Sequence, residues 1–166
     1  DFNPEIETFD AINLLRFKAR EQGVELIVGS NSNDYKGIKS IFGSPLKFNQ
    51  VILNLTSNAI DSYEENNSHL PRTVEIFLAF KAANLLITVR DEGRGIPDSI
   101  IPKIFEPFFS TKPSGKGTGL GLSTTKSIVE NDFKGKINLR SKESIGTIFE
   151  VTIPLTPPSS PPTIQS

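Results

Sequence analysis

The chain has 166 residues, 36% of them apolar, and a formal net charge of −1. That is enough for one globular domain with a proper core, and so balanced a charge gives no electrostatic reason to expect nucleic acid or an anionic membrane as a partner. The chain has no cysteine, which excludes a disulfide framework, a thiolate metal site and a thiol nucleophile, and no run approaches the ~18–20 apolar residues of a membrane span. The opening "DFNPEIETF" lacks the basic and apolar regions of a signal peptide, and the absence of any methionine reads as a piece excised from something longer.

From Glu5 to Gln22 the apolar residues Ile6, Phe9, Ile12, Leu15 and Ala19 recur at three and four, which predicts an amphipathic helix stopped at Gly23. "VELIV" reads as a strand, residues 29–37 as a polar turn, and "IKSIF" as a weaker edge strand. Ser44 followed by Pro45 predicts an N-cap with proline at the first helical position, opening a helix that runs to about Glu65. "TVEIFLAF" and "LLITVRD", separated by "KAAN", predict an antiparallel hairpin. Residues 92–118 hold glycines, prolines and phenylalanines without a period, and a connection of that length is expected to be a functional lid, anchored by Phe105, Phe108 and Phe109. A helix from about Leu120 to Glu130 and the strands "KINLRS" and "TIFEVTIP" complete a domain of residues 1–155. The Pro/Ser-rich tail 156–166 reads as a linker.

Three stretches carry chemistry. In "NLTSNAIDSY", projection at 100° per residue puts Gln50, Asn54, Ser57, Asn58 and Asp61 on one polar arc of an otherwise apolar helix. Asparagine costs roughly 0.5 kcal/mol against alanine inside a helix, so a merely solvated stripe would sooner use Glu, Lys or Gln. Carboxamides instead suit a site that needs a neutral oxygen for a hard cation such as Mg²⁺ and an NH₂ for phosphate. In "LLITVRD" the alternation Leu85, Ile87, Val89 carries Asp91 in the same inward phase, so a carboxylate needs donors there. An exocyclic amine is one solution and an Asp turn bonding its own backbone is another. In "SGKGTGLGLS" Gly115, Gly117, Gly119 and Gly121 precede a helix start, an arrangement that can hold an anion on main-chain amides or serve as a hinge, with Lys112 and Lys116 flanking it.

Taken in order, these stretches resemble the ATP-binding domain of sensor histidine kinases, the GHKL or Bergerat-fold family. "NLTSNA" is similar to its N box, "DEGRGIP" to G1, "IFEPFFSTK" to the F box, "GKGTGLGLS" to G2 and "GTIFEVTIP" to the closing strand. The resemblance covers about residues 5–155. It implies an α/β two-layer sandwich, a mixed sheet covered by helices on one face, with ATP between the N-box helix and a mobile lid. By the same resemblance Asn58 would be the Mg²⁺ ligand, Asn54 a phosphate or Mg-water contact, and Asp91 the acceptor of the adenine amino group, helped by Thr147. Gly93, Gly95 and Ile96 would let the backbone pass close to the base. Gly117, Thr118, Gly119, Leu120 and Gly121 would hold phosphates, with Lys112 and Lys116 in place of the basic residue that many members carry where Asp61 stands. "ENDFKGKI" departs from the family's usual His-Gly-Gly or Asn-Gly-Gly turn, so the loop at 132–135 is expected to have its own shape.

The hydrolysing relatives of this family carry Glu where Asn54 lies. An amide cannot accept the proton of an attacking water, so the resemblance implies a kinase that keeps the γ-phosphoryl for a protein nucleophile. That nucleophile would be a histidine on a separate dimerisation domain, with a response regulator downstream. His69, the one histidine in the chain, lacks the helical surroundings of a phosphoacceptor and reads as a loop residue. The fragment is expected to be monomeric and cytoplasmic, to bind Mg-ATP, and barely to phosphorylate itself. A nucleotide-sensing pseudokinase module is the rival expectation.

Overall fold

The computed structural model describes residues 1–37, 39–63, 71–112, 117 and 119–155. The first helix, α1, spans Pro4–Glu21; the Asn3 side chain accepts from Glu5 N at 2.9 Å and Pro4 takes the first helical position. The chain leaves the helix through Gly23 at φ +65°, as the sequence implies. Strand β1 (Val24–Ser30) follows, and then α2 (Pro45–Asp61), whose Ser44 cap accepts from Lys47 N at 3.4 Å. The remaining elements are β2 (Arg72–Lys81), β3 (Asn84–Asp91), α3 (Gly121–Ser127), β4 (Lys136–Lys142) and β5 (Gly146–Pro154).

The strands form one mixed sheet in the order β1-β2-β3-β5-β4, with β1 parallel to β2 and every other pair antiparallel. Period-two alternation sends Val74, Ile76, Leu78 and Phe80 of β2 to one face, with Leu85, Ile87 and Val89 of β3 and Phe149, Val151 and Ile153 of β5. The helices cover that face alone. Phe48, Val51, Ile52, Leu55, Ala59 and Ile60 of α2 are buried against it, each side chain larger than alanine contributing roughly 1.5–3 kcal/mol through removal from water. The two-layer sandwich anticipated from the sequence is thus the observed architecture. Since β1 and β2 are parallel neighbours, α2 is the crossover between them, and its polar arc is held above one end of the sheet.

Four local expectations need correction. "IKSIF" forms no strand among its described residues: Ile41 pairs with Phe2 as an isolated bridge, and Phe2 sets its ring edge-on to Phe48 and Phe133. The last helix covers the expected span but is not α-helical throughout, for after Ser127 it widens into a π turn over Ile128–Asp132, closed by Phe133 N to Ile128 O at 3.1 Å. This is the segment whose loop departs from the usual glycine pair, and Lys134 takes φ +54° there. Helix α2 stops at Asp61 with Ser62 as its cap, short of Glu65. Phe108 does not anchor the lid: it is 78% exposed at φ +66°, whereas Phe105 and Phe109 pack on the core. His69 and the tail 156–166 lie outside the described residues.

Candidate functional site

A cavity of about 580 Å³ opens between α2 and the far end of the sheet, within the usual range of roughly 300–1,000 Å³ for small-molecule sites. Asn54, Ser57 and Asn58 come to it from α2, Asp91 and Thr147 from the adjoining ends of β3 and β5, and Gly95, Ile96 and Lys112 from the long connection. Gly117, Gly119 and Gly121 close it from the glycine-rich turn, and Ile100, Ile104, Phe109, Leu122 and Phe149 give it an apolar wall. Three stretches far apart in sequence therefore converge on one space.

Asp91 lies at its floor, 5% exposed, directly opposite Thr147 in the β3–β5 register. Burial pushes its carboxyl up to about 6, and the shift is held back by the Gly93 N–H, the Ser62 hydroxyl, the Thr147 N–H and the Arg94 charge. Gly93 N donates to Oδ1 at 2.9 Å, so the Asp-turn alternative is also realised, by one of the two oxygens. The Ser62 hydroxyl is shared with Ala59 O at 2.6 Å. A carboxylate this buried and this incompletely compensated is a strong acceptor for a further N–H donor.

Asn54 and Asn58 meet different partners. Asn54 Nδ2 donates to Gly121 O and to Thr125 Oγ1, both at 3.2 Å, so its NH₂ is spent on α3. Asn58 Oδ1 accepts from Lys112 Nζ at 3.3 Å, an ammonium lying where a cation would bind that oxygen. Lys112 also pairs with Asp61, which is buried and which pairs through its other oxygen with Lys18 of α1 at 2.5 Å. Among the described residues no three His, Cys, Asp or Glu side chains cluster as a metal cage.

Gly95, at φ +66°, admits no side chain: a Cβ there would lie 2.0 Å from the carbonyl oxygen of Lys142. Gly119, at φ +69°, is equally constrained by the backbone of Phe108, which donates its N–H to Gly119 O at 2.9 Å. Gly93 stands apart from these two. It does not line the cavity, and its missing side chain makes room for Ser62, 2.0 Å from where a Cβ would stand. Leu120 is likewise outside the wall, its carbonyl accepting from Thr124 N at 2.9 Å. Gly115, Lys116 and Thr118 lie outside the described residues. Sequence reasoning missed Ser62, Thr125 and Lys18. Ser62 and Thr125 are hydroxyls whose role needs the third dimension, and Lys18 sits in the last turn of α1, where a basic residue has a sufficient reason in the helix dipole.

Residues 43–157 match the family model described as "Histidine kinase-, DNA gyrase B-, and HSP90-like ATPase", and the chain belongs to that family. Within it, the chain is 39% identical over 114 residues to Sporulation kinase A of Bacillus subtilis (strain 168), covering 69% of this chain and 18% of that protein. It therefore spans about a fifth of the length of such a relative. The solved catalytic domain of histidine kinase ThkA superposes with a TM-score of 0.77 at 29% identity, covering 94% of this chain and 97% of that one. ThkA in complex with response regulator protein TrrA gives a TM-score of 0.73 at 25% identity over 93% of this chain and 41% of that chain.

Proposed function

We propose that the cavity binds ATP with Mg²⁺, adenine on Asp91 and phosphates towards Asn58, and that the domain gives the γ-phosphoryl group to a histidine on a separate dimerisation domain. The observation that carries this reading is one cavity with a buried carboxylate short of donors at one end and an amide oxygen already facing a cationic group at the other. Asp91 would accept from the exocyclic amine, with the Thr147 side chain beside it, while Gly95 and Ile96 let the base lie flat against backbone. Asn58 would give Mg²⁺ a neutral oxygen. With no carboxylate cage among the described residues, the ion would take its other ligands from phosphate and water, the usual habit of Mg²⁺. Mg²⁺ would neutralise charge building on the transferred group.

Asn54 bears on the outcome of the reaction. Its NH₂ is engaged by Gly121 and Thr125, and an amide oxygen is no base, so nothing on that helix position would activate water. Lys112, Lys116 and the main-chain amides of Gly117, Thr118, Gly119, Leu120 and Gly121 are the remaining phosphate contacts in this reading. ThkA, a structural relative, is solved with a response regulator, and a response regulator is the expected receiver downstream here too. In this reading the domain would work in the cytoplasm, where ATP is supplied. No helix among the described residues is long and apolar enough to cross a membrane.

The test joins this chain to the histidine-bearing dimerisation domain of its parent and supplies ATP radiolabelled at the γ-phosphate with Mg²⁺. Acid-labile, base-stable label on that domain, with phosphate release by the isolated chain near background, is the expected result. Nucleotide binding without label transfer would replace the kinase by a nucleotide-sensing module.

A further inference from the structure

Asp61 does not line the cavity, yet both its carboxylate oxygens are taken by lysines from different parts of the fold. Lys18 Nζ of α1 lies 2.5 Å from Oδ1, and Lys112 Nζ pairs with Oδ2. Lys18 also donates to Ser57 Oγ at 2.7 Å, and Lys112 to Asn58 Oδ1 at 3.3 Å. The carboxylate is 5% exposed. Desolvating such a group is costly even when it is paired, and apolar residues in place of all three charged side chains would often stabilise a domain at least as well. The arrangement is therefore better explained by what it does to Lys112 than by stability.

We propose that Asp61 is a positioning residue, which holds the Lys112 ammonium at the Asn58 end of the cavity while Lys18 fixes the carboxylate from the opposite side. The assignment rests on the reading that nucleotide phosphates occupy that end. A lysine has four rotatable bonds and loses roughly 2 kcal/mol of side-chain entropy when it is ordered, so a free Lys112 would seldom point where a phosphoryl group passes. Asp61 orders it beforehand. Its Oδ2 keeps the ammonium beside Asn58 even when another cation takes the Asn58 oxygen. Lys18 leaves the group of three with one net positive charge and locks the carboxylate, which ties α1 to the phosphate end of the site.

The prediction separates placement from binding, because Asp61 also sets a negative charge near the incoming phosphates. In Asp61→Asn that charge is gone and both lysines remain. Affinity for ATP, read by calorimetry on this chain, should hold or tighten. The kcat for transfer to the histidine domain should fall at least about tenfold, since misplacing a catalytic group by about 1 Å can cost up to about a hundredfold. Asp61→Glu should recover part of kcat, and Asp61→Asn should cost nothing further in a Lys112→Ala background. Independently of turnover, the Lys112 ammonium resonance should be observable in the unmodified chain, where the ion pair slows its exchange with solvent, and should broaden away in Asp61→Asn.

Lys18→Met with Asp61→Asn, which removes one of the two facing ammoniums, provides a second variant should the single one melt. Unchanged kcat, a loss that persists undiminished without Lys112, or weakened ATP binding as the sole effect would each overturn the role of Asp61. Failure of the unmodified chain to bind ATP would overturn the site reading, and this assignment with it.

Discussion

The side-chain amide of Asn54 donates to the hydroxyl of Thr125 at 3.2 Å and so links α2 to α3 across the mouth of the cavity. A second bond of the same length reaches Gly121 O. Asn54→Ala removes two partly buried hydrogen bonds and leaves the Thr125 hydroxyl still bonded to Gly121 O at 2.8 Å. The expected loss is about 1–2 kcal/mol by urea denaturation, accompanied by weaker nucleotide binding. A variant as stable as the parent would show that the link between the helices carries no weight.

The Asp91 carboxyl, raised from 3.8 to about 6, makes two properties depend on pH in opposite directions. A group whose folded pKa exceeds its unfolded value contributes stability that is complete below about 4 and is lost as pH rises through about 6, on the order of 2–3 kcal/mol in all. The nucleotide-free domain should accordingly gain this contribution on acidification over that window. Binding of adenosine, which carries no titrating phosphate, should weaken across the same window as the acceptor becomes protonated. Thermal melts and an adenosine titration at successive pH values test both signs.

Asp91→Asn should separate the same two effects at neutral pH. The amide oxygen can still accept from Gly93 N, and the cost of a buried charge disappears, so the melting temperature should hold or rise. Adenine loses a charged acceptor, worth about 10- to 100-fold in affinity. Retained tight binding of ATP by this variant would move the base elsewhere in the cavity.

Away from the site, Ala82 and Ala83 join β2 to β3 with φ of +48° and +61°, a turn conformation that favours Asn-Gly. The left-handed region costs an L-residue roughly 1–2 kcal/mol. Ala82→Asn with Ala83→Gly should therefore stabilise the domain by about 1–2 kcal/mol and leave nucleotide affinity unchanged, as a calorimetric melt and a titration would show.

The sheet and its helices were legible because each is announced by a local signal. Ser44-Pro45 opens α2, Gly23 closes α1, and alternation in β2, β3 and β5 assigns the buried face. Asn54, Asn58 and Asp91 were legible for a different reason: each sits where its local pattern calls for an apolar or helix-favouring residue. "IKSIF" misled because its apolar residues fit a strand equally well, and only the packing of Phe2 shows that Ile41 serves a lone bridge. A glycine next to a ligand and a glycine next to a serine look alike in sequence, and at Gly93 the structure shows the serine. The clasp of Lys18 and Lys112 on Asp61 joins residues 43 and 51 positions away along the chain, a distance over which no periodicity speaks.

The parallel pairing of β1 with β2 makes the asparagine-bearing helix the crossover between adjacent strands. Asn54 and Asn58 ride on the same helix as Val51, Ile52, Leu55, Ala59 and Ile60, which are buried in the core. Occupancy of the cavity and integrity of the hydrophobic interior are in that respect a single cooperative property, so whatever settles against α2 also shields the amides of the sheet's parallel edge from exchange with water.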